Sequence, residues 1–200
     1  MLKVINLFGG PGSGKSTTAA GLFWEMKNAR LNVELVSEFA KGMAWAERVK
    51  ELTDQPYILG QQYHRLHVLK DKVEWAITDS PLPLVLLYGH EPTALFKGVT
   101  MELFNEFENY NFFVERVKPY VSIGRFQGQS EAEIIDWRTR ALLQMYALPH
   151  HFVDGDNTSC TQILNLLEAL CPTFGKTQAT PPPMASSPKD APGVSSPGSN

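Results

Sequence analysis

The chain has 200 residues, with 18 Lys and Arg against 21 Asp and Glu and a formal charge of -3, a length that suits one domain and a tail and lets a core form without staples. Two cysteines exclude a disulfide framework and, with no signal peptide opening the chain, set the expectation of a reducing compartment. The absence of any apolar run of about 18 residues excludes a membrane span, and 43% hydrophobic with 10% aromatic residues excludes collagen, coiled coil and a wholly disordered chain, while the slightly acidic balance speaks against a nucleic-acid coat but leaves room for a local basic cleft.

Apolar runs alternate with helical patterns along the first 175 residues. Residues 3–8, Lys-Val-Ile-Asn-Leu-Phe, suit a buried strand, and 15–28 a helix. A short β-branched strand is expected at 33–37 and a helix at 39–49. Ile58, Gln61, Gln62, Arg65, Leu66 and Leu69 repeat at helical spacing within 57–73. A third strand is expected at 75–78, a helix at 101–108 and a fourth strand at 111–114. Residues 134–146 read as a helix, 151–153 as a fifth strand and 158–170 as a last amphipathic helix. This alternation predicts an α/β fold with a five-stranded parallel sheet flanked by helices.

From Pro172 onward the composition changes. Seven of the fourteen prolines fall there, with five serines. Such a segment cannot bury enough apolar surface to offset its ordering entropy. The expected organisation is a domain over 1–175 and a disordered Pro/Ser-rich tail over 176–200. Without the tail the domain carries 16 basic and 20 acidic side chains, hence -4.

The strongest chemical signal is Gly9-Gly10-Pro11-Gly12-Ser13-Gly14-Lys15-Ser16-Thr17. It fits G-x-x-x-x-G-K-[ST] at every fixed position, between an apolar strand and a helix. Glycines let the backbone wrap so that successive N–H groups face phosphate oxygens. The helix that follows adds its positive end. Lys15 is expected to reach the β- and γ-phosphates of ATP, and the Ser16 hydroxyl to ligate Mg²⁺.

Asp79 ends the third strand, where an acid can hold Mg²⁺; otherwise it begins a turn before Ser80-Pro81. The neighbour of Asp79 is Ser80 rather than a second acid, and no Asn-Lys-x-Asp motif is present. Transfer to an acceptor is therefore favoured over hydrolysis. Glu38 closes the second strand, at the ligand-binding edge of such a sheet. It can take a proton from an acceptor hydroxyl, or simply favour the start of the next helix. Arg125 sits in a polar, glycine-bearing stretch, 120–128, expected to form a lid that neutralises charge during transfer. Arg116, Arg138 and Arg140 flank it, the last two unable to face one spot. Gln61, Gln62 and Arg65 read better as a polar helix face than as base readers. His64 and His67 lack partner ligands for a metal. Cys160 and Cys171 are core or helix-end residues, too far apart for a bridge. Asp154-Gly155-Asp156-Asn157-Thr158 reads as a turn and helix cap, with adenine contact secondary.

Beyond the loop, Ser37-Glu38-Phe39-Ala40-Lys41, Asp54-Gln55, Thr78-Asp79-Ser80-Pro81, Gly124-Arg125-Phe126-Gln127 and Glu131-Ala132-x-x-x-Asp136 make residues 1–171 resemble small P-loop kinases of tailed bacteriophages in the thymidylate-kinase family. Some of these phosphorylate 5-hydroxymethyluracil inside viral DNA; others act on free deoxynucleotides. The resemblance implies ATP and Mg²⁺ as cofactors and a nucleotide or hydroxymethyluracil-containing DNA as substrate. It also implies no membrane partner and the cytoplasm of an infected bacterial host. It leaves the oligomeric state open. Two departures argue against an ordinary cellular monophosphate kinase: Ser80 stands where thymidylate kinases carry arginine, and the Asp-Gly-Phe-Pro-Arg motif of adenylate kinases is absent. The leading expectation is a 5-hydroxymethyluracil DNA kinase. The alternatives are a free deoxynucleoside monophosphate kinase and a non-kinase P-loop ATPase or switch.

Overall fold

A computed structural model describes residues 1–48, 50–117 and 128–176. The segment carrying Arg125, the expected lid, and nearly all of the expected tail lie outside the described residues. Five strands form one parallel sheet: β1 (Lys3–Phe8), β2 (Val33–Val36), β3 (Trp75–Thr78), β4 (Glu108–Glu115) and β5 (His151–Asp154), in the order β2-β3-β1-β4-β5. Six α-helices join and cover them: α1 (Lys15–Asn28), α2 (Phe39–Trp45), α3 (Gln55–His67), α4 (Ala94–Phe104), α5 (Gln129–Met145) and α6 (Ser159–Leu170). The expected α/β class and five-stranded parallel sheet are what the chain adopts.

Burial on both faces explains why the strands read as apolar runs. Along β1, Val4 and Phe8 enter a core shared with α2, α3, α4 and α5. Ile5 and Leu7 face the other way, into a core built with Ala19, Leu22 and Met26 of α1 and Ile163 and Leu167 of α6. Cys171 belongs to this second core, and both cysteines are free thiols. Among the described residues no helix is long and apolar enough to cross a membrane.

Several boundaries move. The expected helix at 101–108 instead starts at Ala94, where the Thr93 hydroxyl accepts the Phe96 N–H at 3.2 Å. It stops at Phe104 because Glu108 already pairs with the β1 edge, its N–H donating to the Leu2 carbonyl at 3.0 Å. The fourth strand is correspondingly longer than 111–114. Its polar Asn109 and Asn111 are tolerated because both accept from the buried Asn6 amide, at 2.9 and 3.0 Å. α5 starts five residues earlier than expected, where the Glu131 carboxylate accepts the Gly128 N–H. α2 ends at Trp45, short of 49, and Glu47 turns with φ 56. α3 starts at Gln55, where Asp54 caps the Tyr57 N–H, and ends at His67. A further stretch, Leu82–Leu87, coils into 3₁₀ turns with every side chain buried.

Candidate active site

The glycine-rich loop links the central strand β1 to α1. Gly14 has φ 110, a left-handed conformation that a side chain strains, and it delivers the chain into α1. Gly10 is glycine for another reason. A Cβ there would lie 2.6 Å from both the Ala132 carbonyl and Asp136 Oδ1. Helix α5 therefore lies directly against the loop backbone. The Ser13 hydroxyl is buried without a hydrogen-bond partner in the protein.

Lys15 is the first residue of α1, and its Nζ donates to the Gly10 carbonyl at 2.8 Å. Burial pushes its pKa down, against the pull of the Glu38, Asp79 and Asp136 carboxylates. Ser16 Oγ donates to Asp79 Oδ2 at 2.5 Å. The other Asp79 oxygen accepts the Glu38 N–H at 3.0 Å. Asp79 is 5% exposed, so this carboxylate is a fixed bridge between loop and α2. The turn at Ser80 is made instead by Thr78, whose hydroxyl accepts the Ser80 N–H. Burial raises the Glu38 pKa, and the Asp79 charge adds to the shift while Lys15 and Lys41 oppose it.

These groups line one end of a cleft of about 390 Å³. The loop supplies Pro11, Gly12 and Gly14 through Thr17, and the turns just past the carboxyl ends of β2 and β3 supply Glu38 and Asp79. The cleft continues past them between Ala40, Lys41, Ala44 and Trp45 of α2, Leu52, and Gln55 and Ile58 of α3. Its floor is Leu84 and Val85 from the 3₁₀ turns, with Tyr88 beyond. Burial drives the Tyr88 hydroxyl far above the usual phenol range, while the charge of Arg138 works against that shift.

The candidate residues Lys15, Ser16, Asp79 and Glu38 thus converge in one cleft. The flanking arginines separate. Arg138 is near enough to Tyr88 for its charge to oppose the raised pKa of that hydroxyl, whereas Arg140 is ion-paired with Glu115 at 2.7 Å and stacked over Phe113 and Phe152. Arg116 is paired with Asp136 at 2.9 Å and also donates to the Pro11 carbonyl. Gln62 is structural: it accepts from the Phe39 N–H and donates to Thr78. Arg65 donates to the Ser37 carbonyl and lies over the Phe39 ring. His67 hydrogen-bonds the Tyr63 hydroxyl. In the loop after β5, Asp156 accepts both the N–H and the hydroxyl of Thr158, a turn rather than a cap on α6. Gly155 of that loop packs against Ser13, where a Cβ would come within 2.0 Å of the Ser13 carbonyl.

Residue type and spacing do not single out several contributors. Gln55, Leu84 and Val85 line the cleft by virtue of a turn with no periodic signature, and Tyr88 follows it. Asp136 is the fifth residue after Glu131 in one of the short motifs above, but nothing local announces that it touches Gly10.

No protein-family model and no curated protein matches the chain. Solved structures do. One is the deoxyadenosine kinase of M. mycoides with the products dCMP and a flexible dCDP bound, at 18% identity over 84% of this chain and 99% of that one, TM-score 0.53. The same enzyme with bound dATP gives 18% identity, 84% and 100% coverage and TM-score 0.52. The YorR protein of Bacillus subtilis, in complex with phosphorylated GDP, matches at 16% identity over 88% of this chain and 99% of that one, TM-score 0.50. At these identities the likeness is one of fold. The fold is that of the P-loop kinases.

Proposed function

We propose that the protein is an ATP- and Mg²⁺-dependent kinase that transfers the γ-phosphoryl group to a hydroxyl on a nucleoside or nucleotide unit. The observation that carries this reading is the Asp79 bridge, which holds the phosphate-loop Ser16 and the start of α2 together at Glu38. A base candidate and a phosphate cradle then share one cleft. Lys15 and the loop N–H groups hold the triphosphate. The Ser16 hydroxyl and the Asp79 carboxylate are hard oxygen donors of the kind Mg²⁺ takes, and they fit it. The ion, when bound, offsets charge on the β- and γ-phosphates.

Glu38 favours a hydroxyl acceptor over a monophosphate. Its carboxylate takes the hydroxyl proton as the new O–P bond forms and the bond to the β-phosphate oxygen breaks, releasing ADP. A phosphate acceptor needs cations rather than a base, and among the described lining residues the cations are Lys15 and Lys41. The apolar length from Ala44 to Ile58 gives a flat base somewhere to lie. A structural neighbour named as a deoxyadenosine kinase supports a nucleoside-sized acceptor.

The first acceptor to test is the hydroxymethyl group of 5-hydroxymethyluracil in DNA, which the phage-kinase resemblance suggests. The second is the hydroxyl of a free deoxynucleoside. Labelled ATP is incubated with the protein and, in parallel, with hydroxymethyluracil DNA, ordinary DNA, each deoxynucleoside and each deoxynucleoside monophosphate. Label in the first or in a deoxynucleoside tube supports hydroxyl transfer and names the acceptor. Label only in a monophosphate tube overturns the role given to Glu38. ATP loss with no labelled acceptor overturns the kinase reading in favour of an ATPase.

A further inference from the structure

The first half of the phosphate loop is gripped from outside by a pair that the proposed transfer does not use. Asp136, in the second turn of α5, accepts the Gly10 N–H through Oδ1 at 2.5 Å. Its Oδ2 accepts from Nε and Nη2 of Arg116 at 3.1 and 2.9 Å. Nη2 also donates to the Pro11 carbonyl at 2.8 Å. Arg116 directly follows β4, so the two grips reach the loop from separate elements. Both side chains are largely buried, 12% and 16% exposed. Such a fork fixes geometry more firmly than a point contact does.

The arrangement is electrostatically odd for a loop that receives a polyphosphate. A carboxylate touches the loop backbone, and at such range it repels a bound triphosphate unless its charge is cancelled. Arg116 supplies that cancellation. We propose that Arg116 and Asp136 are positioning residues that form a charge-neutral clamp on the phosphate loop, with Arg116 aiding the triphosphate through Asp136 rather than by touching it. This rests on the reading of the loop as a triphosphate site.

The clamp makes the two residues unequal. Without Arg116 the carboxylate stays on the loop, bare. In Asp136→Asn the charge is gone, the side-chain amide oxygen can still accept the Gly10 N–H, and the Arg116 cation remains nearby. Removing the acid should therefore repair the loss of the arginine.

The test is equilibrium binding of ATP with Mg²⁺, without acceptor, to the full chain and to Arg116→Met, Asp136→Asn and the double variant. Melting curves accompany each. Arg116→Met should weaken ATP binding about tenfold or more, and Asp136→Asn, which keeps an acceptor for the Gly10 N–H but takes the partner from Arg116, should lose less than Arg116→Met does. The double variant should bind within about threefold of Asp136→Asn alone. A purely structural pair predicts instead that the ATP-binding losses of all three variants follow their losses in melting temperature, any rescue included. A double variant as weak as Arg116→Met would mean that Arg116 meets the triphosphate directly, and the clamp is overturned. If Arg116→Met does not fold, Arg116→Gln removes the charge while keeping a donor, and the same rescue is required of it. Absence of ATP binding by the wild-type chain would instead refute the triphosphate reading itself.

Discussion

The end of the cleft proposed to hold phosphate is made of backbone, and the end proposed to take the acceptor is made of side chains. The loop between β1 and α1 is one run of consecutive residues whose glycines permit the wrap and whose Lys15 and Ser16 begin the helix. The acceptor end draws Ala44 and Trp45 from α2, Gln55 and Ile58 from α3, and Leu84 and Val85 from the 3₁₀ turns. Backbone recognition of phosphate needs a fixed spacing and glycine where φ is positive or another segment presses close, as at Gly14 and Gly10. An apolar slot needs only volume and shape, which many sequences supply. The two ends meet at Asp79, with one oxygen on Ser16 and the other on the Glu38 N–H.

The harshest way to probe the contrast is to remove the lysine at the backbone end. Lys15→Ala should lower phosphoryl transfer on the order of 10²-fold or more, since a charge-stabilising group at the transferring phosphate is lost. Lys15 lies at the cleft and outside both cores, so the melting temperature should hold. Turnover near wild type in a folded Lys15→Ala protein would break the phosphate-end assignment.

Glu38→Gln probes the junction. Transfer to a hydroxyl should fall on the order of 10²-fold, with ATP affinity little changed. The wild-type pH profile sharpens this. Burial raises the Glu38 pKa, so the carboxyl keeps its proton to a higher pH than an exposed glutamate. Activity should then be lost, as pH falls, at a pH above the ordinary glutamate range, and Glu38→Gln should erase that limb. The sign for stability is opposite. The unfolded chain ionises first, so this group favours folding at low pH and loses that contribution as pH rises through the raised value. An acid limb that survives in Glu38→Gln would assign the proton to another group.

The same contrast explains what is legible from sequence. The β1–loop–α1 unit is readable because its chemistry is local: a covalent spacing and the elements on either side. Asp79 and Glu38 are readable as ends of apolar strands, since an open parallel sheet collects ligands at that edge. The contact made by Asp136 is not, because its partner Gly10 lies 126 positions away and the short motif that contains Asp136 says nothing of it. The start of α4 escapes the pattern although Pro92-Thr93 is a start signal. Gly98, in its first half, weakens the helical pattern there. β4 reads short because Asn109 and Asn111 look like loop residues until the buried Asn6 amide is seen between them.

A milder substitution separates the two ends. Ala44→Phe places a ring in the apolar slot without touching the loop. It should raise the acceptor KM about tenfold while leaving ATP affinity unchanged, the pattern of lost ground-state binding. Initial rates at varied acceptor and saturating ATP give the comparison. A matching loss of ATP affinity would mean that the slot belongs to the triphosphate's own base, and that the ends have been assigned the wrong way round.

The smallest effect is expected where the chain leaves both ends behind. Phe174 packs edge-on against Trp75 at 5.4 Å, and Trp75 opens β3, at the amino ends of the strands and away from the cleft. The Lys176 N–H closes a turn onto the Thr173 carbonyl at 3.2 Å. Among the described residues, both cores are built from side chains that precede this turn. The 24 residues that follow hold six prolines and no aromatic side chain, a composition that offers little apolar burial. Deleting everything after Lys176 should therefore shift the melting temperature by no more than about 2 °C, roughly the size of a sub-kcal/mol change in a domain of this length. ATP affinity and acceptor KM should be unchanged. Melting curves and steady-state kinetics on the full and truncated chains check this. A fall of many degrees would place the segment against the domain. A selective rise in acceptor KM without loss of stability would instead give it a share in holding the acceptor, and the slot between α2 and α3 would no longer account for that end alone.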